Sequence, residues 1–243
     1  MKYELHDIAA AFALLTRLPV PVDHARAGAR GAEAAWAYPL VGAGLGLLAG
    51  TLGWLVLWLG VSAGIAAVLV IAAQVAMTGA MHEDGLADMA DGLGGFTVER
   101  RLEIMKDSRI GAYGAIALVL ALLARQEGIS AIEAASLPLA MAALGAGSRA
   151  LMVVVMASLR HARQGGLAAR AGKPPFEAVL TALATGLLFC VLAFGWLGFG
   201  VFAAMALVTL TVALIAHARF GGQTGDILGA SQQSAEVIGL AVL

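Results

Sequence analysis

Apolar runs close to the length of a bilayer crossing recur along this chain, and nothing else restricts its fold as severely. Six such runs occupy about 36–60, 62–81, 110–124, 131–157, 175–194 and 197–216, and a weaker apolar stretch follows 221–226 to the C-terminus. A backbone in hydrocarbon has no water to satisfy its polar groups, so a chain of this kind spans as helices or as a closed barrel. Runs of about twenty residues fit helices. The expected fold is therefore all-α: a polytopic membrane protein with six to seven transmembrane helices. The third run is short for a full crossing. Composition agrees: 60% of residues are hydrophobic and 13% are charged, against about 45–50% and 25% in soluble domains.

Basic residues orient the spans. Alternating them puts 1–35, 82–109, 158–174 and 217–226 on one side, with thirteen Lys and Arg (Lys2, Arg17, Arg26, Arg30, Arg100, Arg101, Lys106, Arg109, Arg160, Arg163, Arg170, Lys173 and Arg219). The other side holds only Arg125, and Arg149 falls inside the fourth run. Basic loops stay in the cytoplasm, so the first side is expected to face it, in a multi-pass inner-membrane protein. The whole of 1–243 is expected to form one membrane-embedded domain, with functional segments at 82–109, 158–174 and 217–230. A net charge of −1 gives no reason to expect nucleic acid as a partner.

At the N-terminus, Leu5, Ile8, Phe12 and Leu15 recur at helical spacing beside Lys2, Glu4 and Asp7. The charges argue against a cleaved leader. A short amphipathic helix is expected, lying on the membrane surface or packed on the protein's own body. Residues 18–35, with their prolines, glycines and scattered charges, are expected to form a loop. The single cysteine, Cys190, sits in an apolar run and fits a core or lipid-facing position.

Against this background stands "AMHEDGLADMADGLGG", residues 80–95, at the cytoplasmic end of the second run. If the helix continues, Asp84, Asp88 and Asp91 lie at i, i+4 and i+7, within an arc of roughly 60°. Like charges on one face repel, and a bound cation removes that repulsion. Hard carboxylate oxygens suit Mg²⁺, with Mn²⁺ a substitute. Glu83 points off that face and is a weaker candidate ligand. His82 lies on the far side and fits a packing role. Gly85 and Gly92 each follow an aspartate and leave room for a close approach.

Next comes "RLEIMKDSRIGAYG", residues 101–114. Lys106 and Arg109 have the chemistry a phosphate or pyrophosphate needs. Between these cations, Asp107 should have a lowered pKa and is a candidate anchor or base. Arg149 at membrane depth should face the interior or a water-filled cavity. "GGQTGD", residues 221–226, is a Gly-rich turn closed by Asp226. Together these features suit a phosphoryl-type transfer with one bulky or amphipathic substrate. An ion- or proton-coupled transporter would instead place charges near mid-membrane on several spans.

"LTRLPVP", "AAWAYPLVGAGLG", "HEDGLADMADGLGG", "RLEIMKDSRIGAYG", "SRALMVVVM", "ARQGGLA" and "GGQTGDILGA" occur in this order from Leu15 to Ala230. Together they resemble the cobalamin synthase family, the adenosylcobinamide-GDP ribazoletransferases. The resemblance implies that adenosylcobinamide-GDP and α-ribazole, or its 5′-phosphate, are joined with release of GMP and with Mg²⁺ as cofactor. It implies metal ligands at Asp84, Asp88 and Asp91, with Glu83 secondary, and catalytic roles for Asp107 and Asp91. Lys106, Arg109, Arg149 and Asp226 would bind substrate. Lipid bilayer is the implied surroundings, and oligomeric state stays open. The CDP-alcohol phosphotransferases have similar aspartate spacing, but Asp84-Gly85 is followed here by Leu86-Ala87-Asp88, without their Ala-Arg.

Overall fold

The computed structural model describes residues 2–163, 165–166 and 171–243. Arg170, and the parts of segment 158–174 and of "ARQGGLA" at 164 and 167–170, lie outside the described residues. Among the described residues the chain is helical, with no named strand: α1 (Leu5–Leu15), α2 (His24–Arg30), a 3₁₀ turn (Gly31–Ala37), α3 (Tyr38–Trp58), α4 (Ala63–Thr78), α5 (Met81–Gly92), α6 (Val98–Ile104), α7 (Ala112–Ala131), α8 (Leu137–Ser158), α9 (Phe176–Phe194), α10 (Leu197–Ile215) and α11 (Gly225–Ala241). Among the described residues, five helical runs are long and apolar enough to cross a membrane, ending at Trp58, Ala131, Ser158, Phe194 and Phe220; α4 with α5, bent by 90°, is a broken span, which would make a sixth, or a re-entrant pair. The protein is thus an all-α, multi-pass membrane protein.

The bundle is built around α8, the most buried of these helices. Its main partner is α3, and glycine spacing explains why. A Cβ on Gly42 would strike the carbonyl of Gly145, and one on Gly46 the carbonyl of Met141. One turn later a Cβ on Gly50 would lie 2.7 Å from the Leu137 carbonyl oxygen. Small residues four apart let backbones approach, and dispersion then replaces the hydrophobic drive that lipid cannot supply. Outward faces are apolar: Ile116, Leu120 and Leu123 on α7, Leu188 and Leu192 on α9, and Leu207, Leu210 and Leu214 on α10 are exposed. In lipid these are the expected contacts. Trp58 and Trp196 are exposed at helix ends opposite the aspartates, as interfacial aromatics are. Cys190 is fully buried.

Several local expectations are refined. Residues 24–37 are helical rather than a loop. Asp23 caps α2 by accepting from the backbone N–H groups of Ala25 and Arg26. Arg30 then donates to Asp7, with Nη2 to Oδ2 at 2.7 Å, and Arg26 to Glu4. These pairs fix α1 against the protein's own body, the second of the two placements open from sequence. Asp7 is fully buried there, and the Arg30 guanidinium and Trp36 N–H lower its pKa although burial raises it. The third run extends to Ala131, long enough for a crossing. The second run ends at a corner: Gly79 and Ala80 both have positive φ, 67° and 59°. That left-handed pair turns the chain out of α4 and into α5.

Candidate active site

The corner at Gly79–Ala80 gives α5 its own direction, and α5 presents two chemically different faces. Asp84 is exposed and Asp88 and Asp91 are half-buried on one face, while His82 and Glu83 are buried. The N-terminal end of α11 packs across α5, so closely that a Cβ on Gly85 would lie 2.5 Å from the Asp226 carbonyl oxygen. This crossing brings Asp226 to the acidic face. Asp88 then feels the negative charges of Asp84, Asp226 and Asp91, with Arg163 opposing them. Asp226 is held in place: its Oδ2 accepts from Arg163 Nη2 at 3.0 Å and from the Thr224 hydroxyl at 3.2 Å. Thr224 also caps α11 by accepting from the Ile227 N–H.

Asp91 is committed elsewhere. One carboxylate oxygen accepts from the Gly111 N–H at 2.7 Å, the other from the Gly114 N–H at 2.8 Å. It caps the first turn of α7, whose free N–H groups and dipole favour an anion. Both glycines face the Asp91 carboxylate, leaving no room for a Cβ.

Glu83 does not join the aspartates. Its Oε1 accepts from Arg125 Nη1 at 3.1 Å and from Gln233 Nε2 at 3.0 Å. Arg125 is not in an outer loop, as hydropathy had it, but is a buried residue of α7. Its Nη2 donates to Gln74 Oε1 at 2.7 Å and to Glu236 Oε1 at 3.2 Å. Arg149 belongs here too. It is buried on α8, donates to the Gly145 carbonyl of its own helix, and lies in the field of Glu236 and Glu83. Two cations and two carboxylates therefore balance inside the bundle, on four different helices. Charge on several spans is what a transporter would show, but here Arg125 pairs with both carboxylates.

Lys106 and Arg109 are exposed, and Arg109 lines one surface hollow with Asp91 at the end of α5. Arg109 is clasped to Asp107, with Nη2 to Oδ2 at 2.6 Å and Nε to Oδ1 at 3.0 Å. That hydrogen-bonded guanidinium pushes the Asp107 carboxyl down to about 2. A base works best with a pKa near the operating pH, so the clasped carboxylate suits an anchor and not a base.

His161, Arg163 and Gln223 lie in the expected functional segments 158–174 and 217–230, but the sequence reading gave them no role. Gln223 Nε2 lies 2.8 Å from His161 Nδ1, and the two segments pair through Gln223 N–H to the Arg160 carbonyl at 2.8 Å. They meet beside Asp226. The available signal was the closeness of "HARQGG" and "GGQTGD" to the same membrane face.

The donor set suits a hard divalent cation: carboxylate oxygens gathered with incomplete neutralisation. Among the described residues no three His, Cys, Asp or Glu side chains already stand in coordinating geometry.

Comparison with known proteins bears on this site. The family model described as Cobalamin-5-phosphate synthase matches residues 7–243. A protein of Bradyrhizobium diazoefficiens named adenosylcobinamide-GDP ribazoletransferase is 41% identical over 242 residues, covering 97% of this chain and 92% of its own length. One of the same name from Sinorhizobium medicae is 41% identical, covering 98% and 95%. Another, from Brucella ovis, is 41% identical, covering 97% and 96%. No solved structure matches the chain.

Proposed function

The chain belongs to the cobalamin-5-phosphate synthase family, and on that premise we propose that its acidic end works as an adenosylcobinamide-GDP ribazoletransferase, the last joining step of the cobalamin nucleotide loop. In this reaction a hydroxyl oxygen of α-ribazole, or of its 5′-phosphate, bonds to the phosphorus carried on the cobinamide arm. The bond from that phosphorus to the pyrophosphate bridge breaks, GMP leaves with the bridging oxygen, and the hydroxyl proton passes to a base or to water. The meeting of Asp84, Asp88 and Asp226 at one end of the bundle carries this reading. Such chemistry rests on positioning and charge neutralisation rather than on protein nucleophiles.

Mg²⁺ is the proposed cofactor. Two carboxylates with substrate phosphate oxygens and water make a common Mg²⁺ shell, so the absence of a third preformed ligand is no obstacle. Asp84 and Asp88 are the ligands, with Asp226 beside them. When bound, the ion neutralises pyrophosphate charge and orients the attacked phosphorus. Asp91 holds α7 and the preceding loop in register with this face. Lys106 and Arg109 flank the same end as docking charges for a phosphorylated substrate. The basic loops at this end support a cytoplasmic active site in the inner membrane.

The test is GMP release by purified protein in detergent, given adenosylcobinamide-GDP and α-ribazole 5′-phosphate over a range of Mg²⁺. Asp88→Asn removes a ligand charge and some repulsion, so thermal stability should hold or rise. Activity should fall by roughly a few hundredfold, the loss typical of one interaction made in the transition state. Near-normal turnover by Asp88→Asn would move the metal site elsewhere. Equal turnover of CDP-diacylglycerol with a small alcohol would overturn the substrate assignment.

A further inference from the structure

Beside the acidic face lies a cavity of about 290 Å³ bounded by α1, α3, α5, α8, α11 and by His161, Arg163, Gly165 and Gly166. Its volume is near the lower limit of small-molecule sites, about 300–1,000 Å³. The wall is mostly apolar, with Leu15, Met81, Met152, Met156 and Leu228. Among this lining are also the polar side chains of His82, His161, Arg163 and Gln223. Asp84 and Asp226 are on the rim of the same space.

We propose that this cavity binds α-ribazole, an inference that rests on the ribazoletransferase reading above. The chemistry of the wall selects among the substrate's parts. A corrin ring with its side chains is far too large. Guanine carries donors and acceptors around its edge, and an apolar wall would leave most of them unmet. The benzimidazole base is apolar with one free ring nitrogen, and His82 sets a single imidazole among the apolar side chains of the wall. Polarisable methionines suit an aromatic face. Gln223 and Arg163 stand on the same wall, and the guanidinium suits a 5′-phosphate. In that pose a ribose hydroxyl lies beside Asp84 and Asp226, where the activated phosphorus must come.

The fold supplies a clean perturbation. A Cβ on Gly225, which lines the cavity, meets nothing within 4 Å among the described residues. Gly225→Leu should therefore fill space without disturbing packing, and its thermal unfolding should match the parent's. Two measurements are made in detergent: equilibrium dialysis of radiolabelled α-ribazole 5′-phosphate without the second substrate, and initial rates of GMP release with each substrate varied. Gly225→Leu should weaken ribazole binding and raise its KM at least about tenfold, the size of one lost good contact, with the KM for adenosylcobinamide-GDP within about twofold. His82→Phe, which keeps a flat ring in place of the imidazole, tests the recognition itself. The parent should prefer benzimidazole over the indole analogue, which lacks the free ring nitrogen, and His82→Phe should level the two. An unchanged ribazole KM in Gly225→Leu with normal GMP release overturns the site alone. Ribazole binding lost in Gly225→Leu, from a parent that releases no GMP, supports the site and overturns the transferase reading.

Discussion

Arg125→Met isolates the worth of the buried charge network. Arg125 is 1% exposed and donates through both terminal nitrogens to Glu83, Gln233, Gln74 and Glu236, at 3.1, 3.0, 2.7 and 3.2 Å. Methionine has a similar volume and suits the apolar surroundings, so lost packing is small. What changes is the balance. With Arg125 and Arg149 facing Glu83 and Glu236 the network is neutral; without Arg125 it carries one uncompensated negative charge. Removing one partner of a buried pair costs about 3–5 kcal/mol, or two to three and a half decades in the folding constant. Adding Glu83→Gln restores neutrality, with Arg149 left against Glu236, so the double variant should recover at least half the loss. Reversible unfolding in mixed micelles by SDS titration, followed by circular dichroism, measures all four corners of the cycle. If Arg125→Met alone stays within about 1 kcal/mol of the parent, or the double variant is no better than the single, the network does not hold the bundle together.

Glycine position should decide the sign of one identical substitution. Gly46→Ala drives a methyl into the Met141 carbonyl and should cost about 1–3 kcal/mol, whereas Gly200→Ala, with open space around it, should stabilise by up to about 1 kcal/mol; thermal unfolding in detergent separates the two. Asp91→Asn leaves an oxygen acceptor but no second one, so the cap on α7 should weaken by about 1.5–3 kcal/mol. Hydrogen exchange should then speed at the Gly111 and Gly114 amides while α8 stays protected. For topology, a cysteine at the exposed Ser108 of a Cys190→Ala chain should react with an impermeant thiol reagent in inverted vesicles and not in intact cells.

Span positions were legible because hydropathy is a local property and each crossing helix carries its own signal. Partnerships were not, because they join residues far apart. Arg125 read as the start of an outer loop since a scale counts guanidinium as water-seeking; its partners Glu83 and Glu236 lie 42 and 111 residues away. Asp91 read as a metal ligand because it shares an arc with Asp84 and Asp88, and the N–H groups that take it come 20 and 23 residues later. The corner at Gly79–Ala80 was hidden for another reason. Alanine at positive φ leaves no mark on composition, so α4 and α5 read as one helix. Even so, the three-aspartate face survived the corner, since all three residues lie beyond it on one continuous helix.

That helix could not stand by itself. α5 has 12 residues, and isolated helices shorter than about 12–15 residues are marginal in water even without like charges on one face. Its stability must come from neighbours. Glu83 is tied to Arg125 and Gln233, Gly85 admits α11, Gly92 lies against Met105 and Phe220, and Asp91 is spent on α7. Each contact uses the flank or an end of α5 and leaves Asp84 and Asp88 free. A site for a cation and a pyrophosphate needs carboxylates held close together before the ligand arrives, which is a local cost. Here that cost is offset one helix face away, by buried charges and amides that tie α5 to α7 and α11.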